Sequence, residues 1–469
     1  MTGIPKKAGL LAPGEGNGFY SAWKFSRARV TAIALALLPC YIQQRIMQEP
    51  PKHEKLHPTS YLNGLRGLVA CLVFVRHFSL PWQPHLDYGY GEREGEYDGF
   101  LRLPFVRLVY AGPLVPMFFV VSGYVLSLKS VKLIRNQSWD TLLRTLSKTI
   151  FHRGIRLFLP TIISTFCVMV AVRLGLFNFD YASIPGRKPV HPEFLDSFWA
   201  QLIDWSKFVV FDLTNPFTWQ SPRAEYGPHL WTIPLTFRGS MVVALALAGL
   251  ARTRQLCRLV LLGMMVMYCL LRTRWELSTF LGGIILCELD LTRQRPLNLD
   301  ATPATRSFKS ARLSQGLWVS CALLTLYVGS FPRYNDGIGV PGYQWMCLIT
   351  PNYRYWDAVA GFGIVVLLAK AQTLQRILTT APIQYLGKVS FSMYIVHEPL
   401  LHVVGYHTVP AIWQVTGKEE VIQYQAGFGL GMLVTFFILL WSADVFRRQV
   451  QQPCERLSVW IEKKCCISD

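Results

Sequence analysis

The chain has 469 residues, of which 51% are hydrophobic and only 16% are charged, against roughly 25% charged residues in an average soluble protein. Its formal net charge is +19 at pH 7, but the basic residues lie at the ends of apolar segments and not in one patch with interleaved aromatic side chains. This composition predicts a protein embedded in a lipid bilayer and argues against a nucleic-acid partner.

The first sixty residues, 1–60, are predicted to form a cytosolic N-terminal tail. A short apolar stretch near 29–47 predicts an interfacial or re-entrant helix, because it is short for a span and a span here would place the basic N-terminus outside. The sequence HEKLH at 53–57 matches the HExxH zinc pattern. Pro50 and Pro58 leave little room for the helix that this pattern requires, so no metal site is predicted.

Ten apolar segments follow, each a candidate to cross a hydrocarbon core of roughly 30 Å. They are 61–80, 104–128, 156–177, 230–250, 255–271, 275–290, 314–332, 355–370, 384–408 and 424–446. The loop between the second and third segments carries seven basic residues against one acid, which predicts a cytosolic loop. The expected fold is therefore all-α, a polytopic membrane helix bundle of about ten transmembrane helices with both termini cytosolic.

The domain organisation predicted from these segments is simple. Residues 61–447 form one transmembrane domain, and 448–469 form a basic cytosolic C-terminal tail. The long connection at 178–229 is rich in Trp, Phe and Pro and is expected on the extracytosolic side, where part of it lies along the interface. The chain therefore shows no sign of a separate soluble catalytic domain.

The first span, YLNGLRGLVACLVFVRHF, carries Arg66, Arg76 and His77 inside an apolar run. Charged residues within a membrane are costly and by default face protein or a water-filled cavity. Arg66 and His77 are eleven residues apart, so a helix separates them by about 16 Å and keeps them on related faces. Two interpretations remain open: Arg66 extends to the cytosolic interface while His77 caps the other end, or both residues belong to a functional site.

Five segments in chain order carry a resemblance to a known family. They are Leu62–Gly67 with His77, Met117–Tyr124, Arg153–Leu157 with Pro160, His229–Pro234, and Leu386–His397. Each is similar to a motif of the acyltransferase-3 family of integral membrane acyltransferases. The sequence WTIP-x-x-FRGSM resembles the corresponding segment of members from filamentous fungi.

The resemblance implies transfer of an acyl group, usually acetyl, from acyl-CoA to a hydroxyl of a small lipophilic or secondary metabolite. Acyl-CoA would be a co-substrate, and no bound cofactor is expected. The expected partners are the lipid bilayer, acyl-CoA and the hydroxylated acceptor. The endoplasmic reticulum or another endomembrane is the expected location, with the plasma membrane as the alternative.

The family motifs assign roles to the unusual charged residues. His77 is predicted to be the catalytic base, since a neutral imidazole suits removal of a hydroxyl proton. Arg66 would orient the donor or hold the developing oxyanion. Arg153 and Arg156 would grip the phosphates of coenzyme A; the alternative is ordinary anchoring at the cytosolic interface.

Four further residues complete the predicted substrate- or donor-binding set: Asn63, Trp231, Tyr394 and His397. Aromatic residues in helix bundles are usually packing residues, and His397 has a helix-packing hydrogen bond as its alternative. The glycines Gly64, Gly67 and Gly123 are expected to permit close helix approach.

The sequence departs from the family at three positions, where a usual acid is replaced by a neutral hydrogen-bonding residue: Asn63, Thr236 and Gln451. The loss of a carboxylate changes charge balance and base strength. Two other functions therefore remain open, a transporter or flippase of an anionic solute and a catalytically silent relative that acts as a membrane partner.

The predicted topology can be tested at the sequon Asn136-Gln137-Ser138, which lies in the loop predicted to be cytosolic. We expect no glycan on Asn136 when the chain is expressed in a eukaryotic host. The measurement is the electrophoretic shift on glycosidase treatment, with an engineered sequon in 178–193 as the positive control. A shift that disappears in Asn136→Gln would reverse the orientation.

Overall fold

The computed structural model describes residues 56–92, 99–217, 225–293, 308–333 and 339–465, with the isolated residues 38, 42, 43 and 46. The chain divides into two units, Met1–Glu54 and Lys55–Asp469, and the second contains everything discussed below. The helix predicted near 29–47 and the start of the HEKLH motif lie outside the described residues, apart from those isolated positions.

The described part of the second unit is helical and contains no strand, which confirms the all-α fold. Its α-helices are α1 (Ser60–Trp82), α2 (Leu114–Arg135), α3 (Trp139–Arg173), α4 (Phe198–Lys207), α5 (Thr232–Gly249), α6 (Gln255–Leu271), α7 (Trp275–Arg293), α8 (Phe308–Gly329), α9 (Gln344–Ile349), α10 (Tyr353–Leu368), α11 (Gln372–Leu378), α12 (Ala381–Leu400), α13 (Tyr406–Thr416), α14 (Val421–Phe446) and α15 (Gln452–Cys465). Each of the ten predicted spans is α-helical over most of its length, because a continuous apolar run in lipid must satisfy its backbone hydrogen bonds within the segment.

Within the described residues, five helical segments are long and apolar enough to cross a membrane. They are α1, α2, α3, residues 228–249 with α5, and residues 421–465 with α14 and α15. A sixth arises if α10 and α11, which meet at 95°, count as one broken span. The chain is thus a polytopic membrane helix bundle, while the number ten and the cytosolic termini stay predictions.

Helices α1 and α12 pack against each other at a distance that only glycine permits. A Cβ on Gly67 would lie 2.4 Å from the backbone nitrogen of Gly387, and a Cβ on Gly387 would lie 2.4 Å from the carbonyl oxygen of Asn63. Gly64 lies equally close to the end of α11, since its Cβ would meet the Leu378 oxygen at 2.0 Å. The glycines of the first motif therefore serve close helix approach, as predicted.

Helices α2 and α7 form a second close contact. A Cβ on Gly123 would lie 2.1 Å from the carbonyl oxygen of Phe280, and one on Gly283 would lie 2.4 Å from that of Val120. Each glycine faces the other helix, so the backbones of α2 and α7 are in direct contact.

Several buried charges between the helices are paired. The fully buried Glu288 of α7 accepts hydrogen bonds from Arg135 at 2.8 Å and from Arg258 at 2.6 Å. Arg238 of α5 is bonded to Glu276 at 2.8 Å. Such pairs are tolerated because each charge finds an opposite charge and hydrogen bonds that offset the loss of water.

The segment predicted as a basic C-terminal tail contains α15, which packs along α3. His152 of α3 hydrogen-bonds the Ser458 hydroxyl at 3.0 Å and the Glu462 carboxylate at 2.9 Å. Lys148 also pairs with Glu462 at 3.1 Å. These contacts hold α15 against the helix that carries Arg153 and Arg156.

The Gly123 contact predicts a stability effect. Gly123→Ala places a methyl group against the Phe280 backbone and should cost about 1–3 kcal/mol, lowering the thermal unfolding midpoint in detergent by several degrees. Gly263→Ala is the matched control, because nothing lies within 4 Å of its Cβ position in α6 and alanine is the better helix former. Equal midpoints for the two variants would contradict the close contact.

Candidate active site

A cavity of about 340 Å³ lies between α1, α2, α3, α5 and α12, closed on one side by the start of α15. We call it the arginine cavity. Its polar lining residues are Arg66, Ser122, Arg153, Arg156, Thr232, Thr236, Ser390, Tyr394, Gln451 and Glu455. Apolar side chains, among them Phe118 and Phe119, cover much of the remaining wall. The cavity therefore gathers residues from distant parts of the chain around one space.

The arginine cavity carries an excess of positive charge. Among the described residues no hydrogen bond or ion pair engages the guanidinium of Arg66 or of Arg156, and Arg153 donates only to the Ser240 hydroxyl, at 3.0 Å. The lining contains a single carboxylate, Glu455, which accepts from the Gln451 amide at 3.0 Å. Three arginines against one acid form a site for an anion with several charged oxygens.

The local sequence explains why two of these arginines point the same way. Arg153 and Arg156 are three residues apart on α3, a spacing that places side chains on one helix face. Gly154 lies between them in sequence, and a Cβ on Gly154 would lie 3.5 Å from a ring carbon of Phe237 in α5. One face of α3 thus serves the cavity while another packs against α5.

A second polar group, the histidine cluster, consists of His77, His229, His397 and Glu398. The His77 Nδ1 atom and a Glu398 carboxylate oxygen are hydrogen-bonded. The His77 side chain is 30% exposed whereas that of Glu398 is 9% exposed, so the carboxylate is buried behind the imidazole. The His397 ring lies 5.0 Å from that of His77 and 4.6 Å from that of His229, between ring centres.

Backbone carbonyls define the tautomers of the two buried imidazoles. A carbonyl can only accept, so the His397 Nδ1–H donates to the Tyr394 oxygen at 2.7 Å and the His229 Nε2–H donates to the Ile395 oxygen at 3.1 Å. The other nitrogens, His397 Nε2 and His229 Nδ1, are buried and have no hydrogen-bond partner among the described residues. Each therefore presents a free lone pair inside the protein.

Tyr394 connects the arginine cavity with the histidine cluster. It lines the cavity, its hydroxyl donates to the backbone oxygen of His229, and the Thr232 hydroxyl lies 2.5 Å from it. Its ring centre is 5.8 Å from that of His397. The Tyr394 side chain thus forms part of the cavity wall and also bonds to a residue of the histidine cluster.

On its other side the cluster adjoins a water-sized cavity of about 10 Å³, lined by Glu398, His402 and Glu225 among others. His402 is hydrogen-bonded through Nδ1 to the Tyr181 hydroxyl at 2.8 Å. Burial raises the pKa of the Tyr181 phenol well above its usual range, so this hydroxyl stays protonated; it also lies 3.1 Å from the Phe177 carbonyl oxygen, which can only accept.

The structure brings together most of the residues singled out from the sequence. Arg66, Arg153, Arg156 and Tyr394 line the arginine cavity, and a separate group, His77 with His397, forms the histidine cluster. Two of the neutral replacements, Thr236 and Gln451, also line the cavity.

Two predicted residues lie outside both groups. Asn63 donates to the Gln384 side chain at 3.3 Å in the contact between α1 and α12. Trp231 packs 6.2 Å from Trp275, ring centre to ring centre, with the Arg354 guanidinium 5.6 Å from its own ring. Neither lines the arginine cavity.

Sequence reasoning missed two acids, Glu398 and Glu455. Glu398 directly follows His397 in an apolar helix, and a carboxylate there was a signal that a partner had to exist. Glu455 follows Gln451 by one helical turn, so it supplies a carboxylate close to the position where Gln451 replaces one.

Comparison with known proteins gives a consistent result. The Acyl_transf_3 model, described as an acyltransferase domain, matches residues 59–443. The O-acetyltransferase PaAT-1 of Phomopsis amygdali is 30% identical over 437 residues, covering 88% of this chain and 86% of that protein. Acyltransferase clz18 of Cochliobolus lunatus is 24% identical and acyltransferase R4 of Phoma sp. is 25% identical; each match covers 85% of this chain and 94% of the relative. No solved structure matches the chain.

Proposed function

The chain belongs to the acyltransferase-3 family and is an integral membrane acyltransferase; from this premise we propose that it transfers an acetyl group from acetyl-CoA to a hydroxyl of a small lipophilic acceptor. The observation that carries the proposal is the position of Tyr394, which lines a cavity with three arginines that lack carboxylate partners in the described part of the chain and bonds to the backbone of His229 in the histidine cluster. A donor site and a base thus adjoin each other.

The base in this proposal is His77. A Glu398 carboxylate that accepts from His77 Nδ1–H leaves the Nε2 lone pair free to take a proton, and the negative charge stabilises the imidazolium that forms. The acceptor oxygen attacks the thioester carbonyl carbon, the carbon–sulfur bond breaks, and the imidazolium returns the proton to the departing thiolate. The products are an ester and free coenzyme A, so no other reactant is needed.

The arginine cavity supports acyl-CoA as the donor. Coenzyme A carries several phosphate charges, and guanidinium groups bind phosphate through paired hydrogen bonds. Arg66 and Arg156 have no carboxylate partner among the described residues, so they are available to such an anion. Arg66 lies about 16 Å from His77 along α1, which favours its role in donor binding over a role at the oxyanion.

The neutral replacements are compatible with catalysis. Asn63 is engaged by Gln384 and does not reach the cavity, so the missing acid at this position leaves the arginines unaffected. The cluster keeps its own carboxylate in Glu398, and the cavity keeps one in Glu455. The name of the relative PaAT-1 supports acetyl as the acyl group, and we extend the proposal to a secondary-metabolite acceptor and an endomembrane location.

The base assignment is tested by transfer of radiolabel from acetyl-CoA into an organic extract by membranes that contain the protein. His77→Ala should lower the rate about 10²–10⁴-fold, the usual contribution of a general base. His85→Ala is the matched control, because His85 is exposed beyond the end of α1. A His77→Ala rate above a tenth of the wild-type rate, with an unchanged unfolding midpoint, would overturn the role of His77.

The donor assignment is tested by comparing acetyl-CoA with acetyl-pantetheine, which lacks the nucleotide phosphates. Arg153→Ala should raise KM for acetyl-CoA about tenfold or more, since a charge-assisted hydrogen bond is worth about 1.5–3 kcal/mol, and should leave KM for acetyl-pantetheine unchanged. Lys129→Ala, an exposed cation of α2 outside the cavity, should alter neither value. An equal rise with both donors would show that Arg153 does not bind phosphate.

A further inference from the structure

The histidine cluster contains a group of atoms suited to hold a metal ion. His77, His397 and Glu398 each offer one ligand atom, and these atoms all lie within 4.8 Å of one another. The proposed transfer uses His77 and Glu398 but gives His397 no chemical step. We infer that these three residues bind a divalent cation of the zinc class, and that the bound cation inhibits acyl transfer.

His397 has a free lone pair inside the protein. The residue is 1% exposed, its Nδ1–H is donated to the Tyr394 carbonyl, and its buried Nε2 has no hydrogen-bond partner among the described residues. Buried polar atoms normally find a partner, because leaving one unpaired costs its lost hydration. A cation between the three side chains would supply that partner.

The hydrogen bond from His397 to the Tyr394 carbonyl orients the imidazole as in a metal site. Histidines that bind metals usually donate their other ring N–H to a backbone carbonyl or carboxylate, which fixes the tautomer and directs the lone pair at the metal. His397 shows this arrangement with Tyr394, and His229 repeats it with the Ile395 carbonyl and a buried, unpaired Nδ1. His229 lies outside the group of three, so a fourth coordination position stays open.

The donor set selects the class of metal. Two imidazoles and one carboxylate are the ligands of many zinc sites, whereas Mg²⁺ and Ca²⁺ prefer oxygen ligands alone. The single carboxylate offsets part of the cation's charge in the apolar interior. The 30% exposure of the His77 side chain gives an ion a path to the site.

Inhibition follows from the chemistry of imidazole. A neutral imidazole has one nitrogen with a lone pair and one that carries a proton. A metal on His77 takes that lone pair, so the ring can no longer accept the acceptor's hydroxyl proton. This consequence, unlike the binding itself, rests on the proposed role of His77.

Binding is measured first, on the full chain purified in detergent and stripped with EDTA. We expect the wild type to retain one Zn²⁺ per chain after dialysis and to show the visible absorption of tetrahedral Co²⁺ on titration with that ion. Glu398→Gln and His397→Ala should bind at least about 10- to 100-fold more weakly, since the loss of a hydrogen-bond partner of a ligand alone costs that much. His57→Ala is the matched control for the HEKLH motif and should bind like the wild type.

A stability readout separates binding from misfolding. Zn²⁺ should raise the unfolding midpoint of the wild type and of His57→Ala by mass action, and it should not raise that of the two cluster variants, whose midpoints without metal show whether they fold. Loss of the wild-type signal in His57→Ala, or wild-type binding by both cluster variants, would overturn the site.

The activity arm distinguishes this inference from the proposed function. Zn²⁺ should stop label transfer by the wild type, and EDTA should restore it. Transfer without zinc binding would overturn the metal site and leave the proposed function intact. Zinc binding by a chain that transfers no label, with or without EDTA, would support the site and count against the proposed function. Zinc binding with unimpaired transfer would overturn the inhibition.

Discussion

The close contact between α1 and α12 is the constraint on which the candidate site depends. Gly67 meets Gly387 at backbone distance, and ten residues further along each helix lie His77 and His397, with their rings 5.0 Å apart. Asn63 with Gln384 and His77 with Glu398 share the same separation of 321 residues. The two helices therefore run parallel and in register. The glycine contact sets this register, and the imidazoles lie about 15 Å further along the two axes.

This arrangement explains why the polar residues of the first motif act at different levels of one helix. Asn63 is used in the helix contact, Arg66 faces the cavity, and His77 meets Glu398. A larger residue at Gly67 would separate α1 from α12 and so move His77 away from Glu398. Packing and chemistry are thus coupled through the same pair of helices.

Two groups of arginines in the bundle differ in their partners. One group is bonded to carboxylates between helices and includes Arg135, Arg238, Arg258 and Arg333. The other, Arg66 and Arg156, has no such partner among the described residues and faces a cavity. A cation within a membrane helix is costly without an opposite charge, and in the proposed function the acyl-CoA donor supplies that charge to the second group.

The sequence predicted the helices well and the site in part. Long apolar runs identify spans directly, intramembrane charges drew attention to Arg66 and His77, and the family resemblance drew attention to Arg153 and His397. The sequence could not show which helices pack together when they are more than 300 residues apart. That packing brings Glu398 to His77 and Gln384 to Asn63.

The group of His77, His397 and Glu398 was missed for the same reason. The zinc pattern visible along the chain, at 53–57, uses residues that are close together in sequence. The group in the structure instead combines residues of α1 and α12, which are far apart in sequence. The segment beyond 447 was read as a basic tail because its charges dominate its composition. Its Ser458 and Glu462 side chains bond to His152 of α3, and Glu455 reaches the cavity.

The size of the arginine cavity limits which part of an acyl-CoA donor fits inside it. A volume of about 340 Å³ lies at the lower end of the roughly 300–1,000 Å³ typical of ligand sites, so the cavity suits the acyl group and the chain next to it better than a whole coenzyme. Arg156 is exposed at the mouth and Tyr394 lies at the end nearest the cluster. In the proposed reaction, phosphates held at the mouth would direct the thioester toward Tyr394, and the side chain that holds His229 would be the last barrier between the donor and the base.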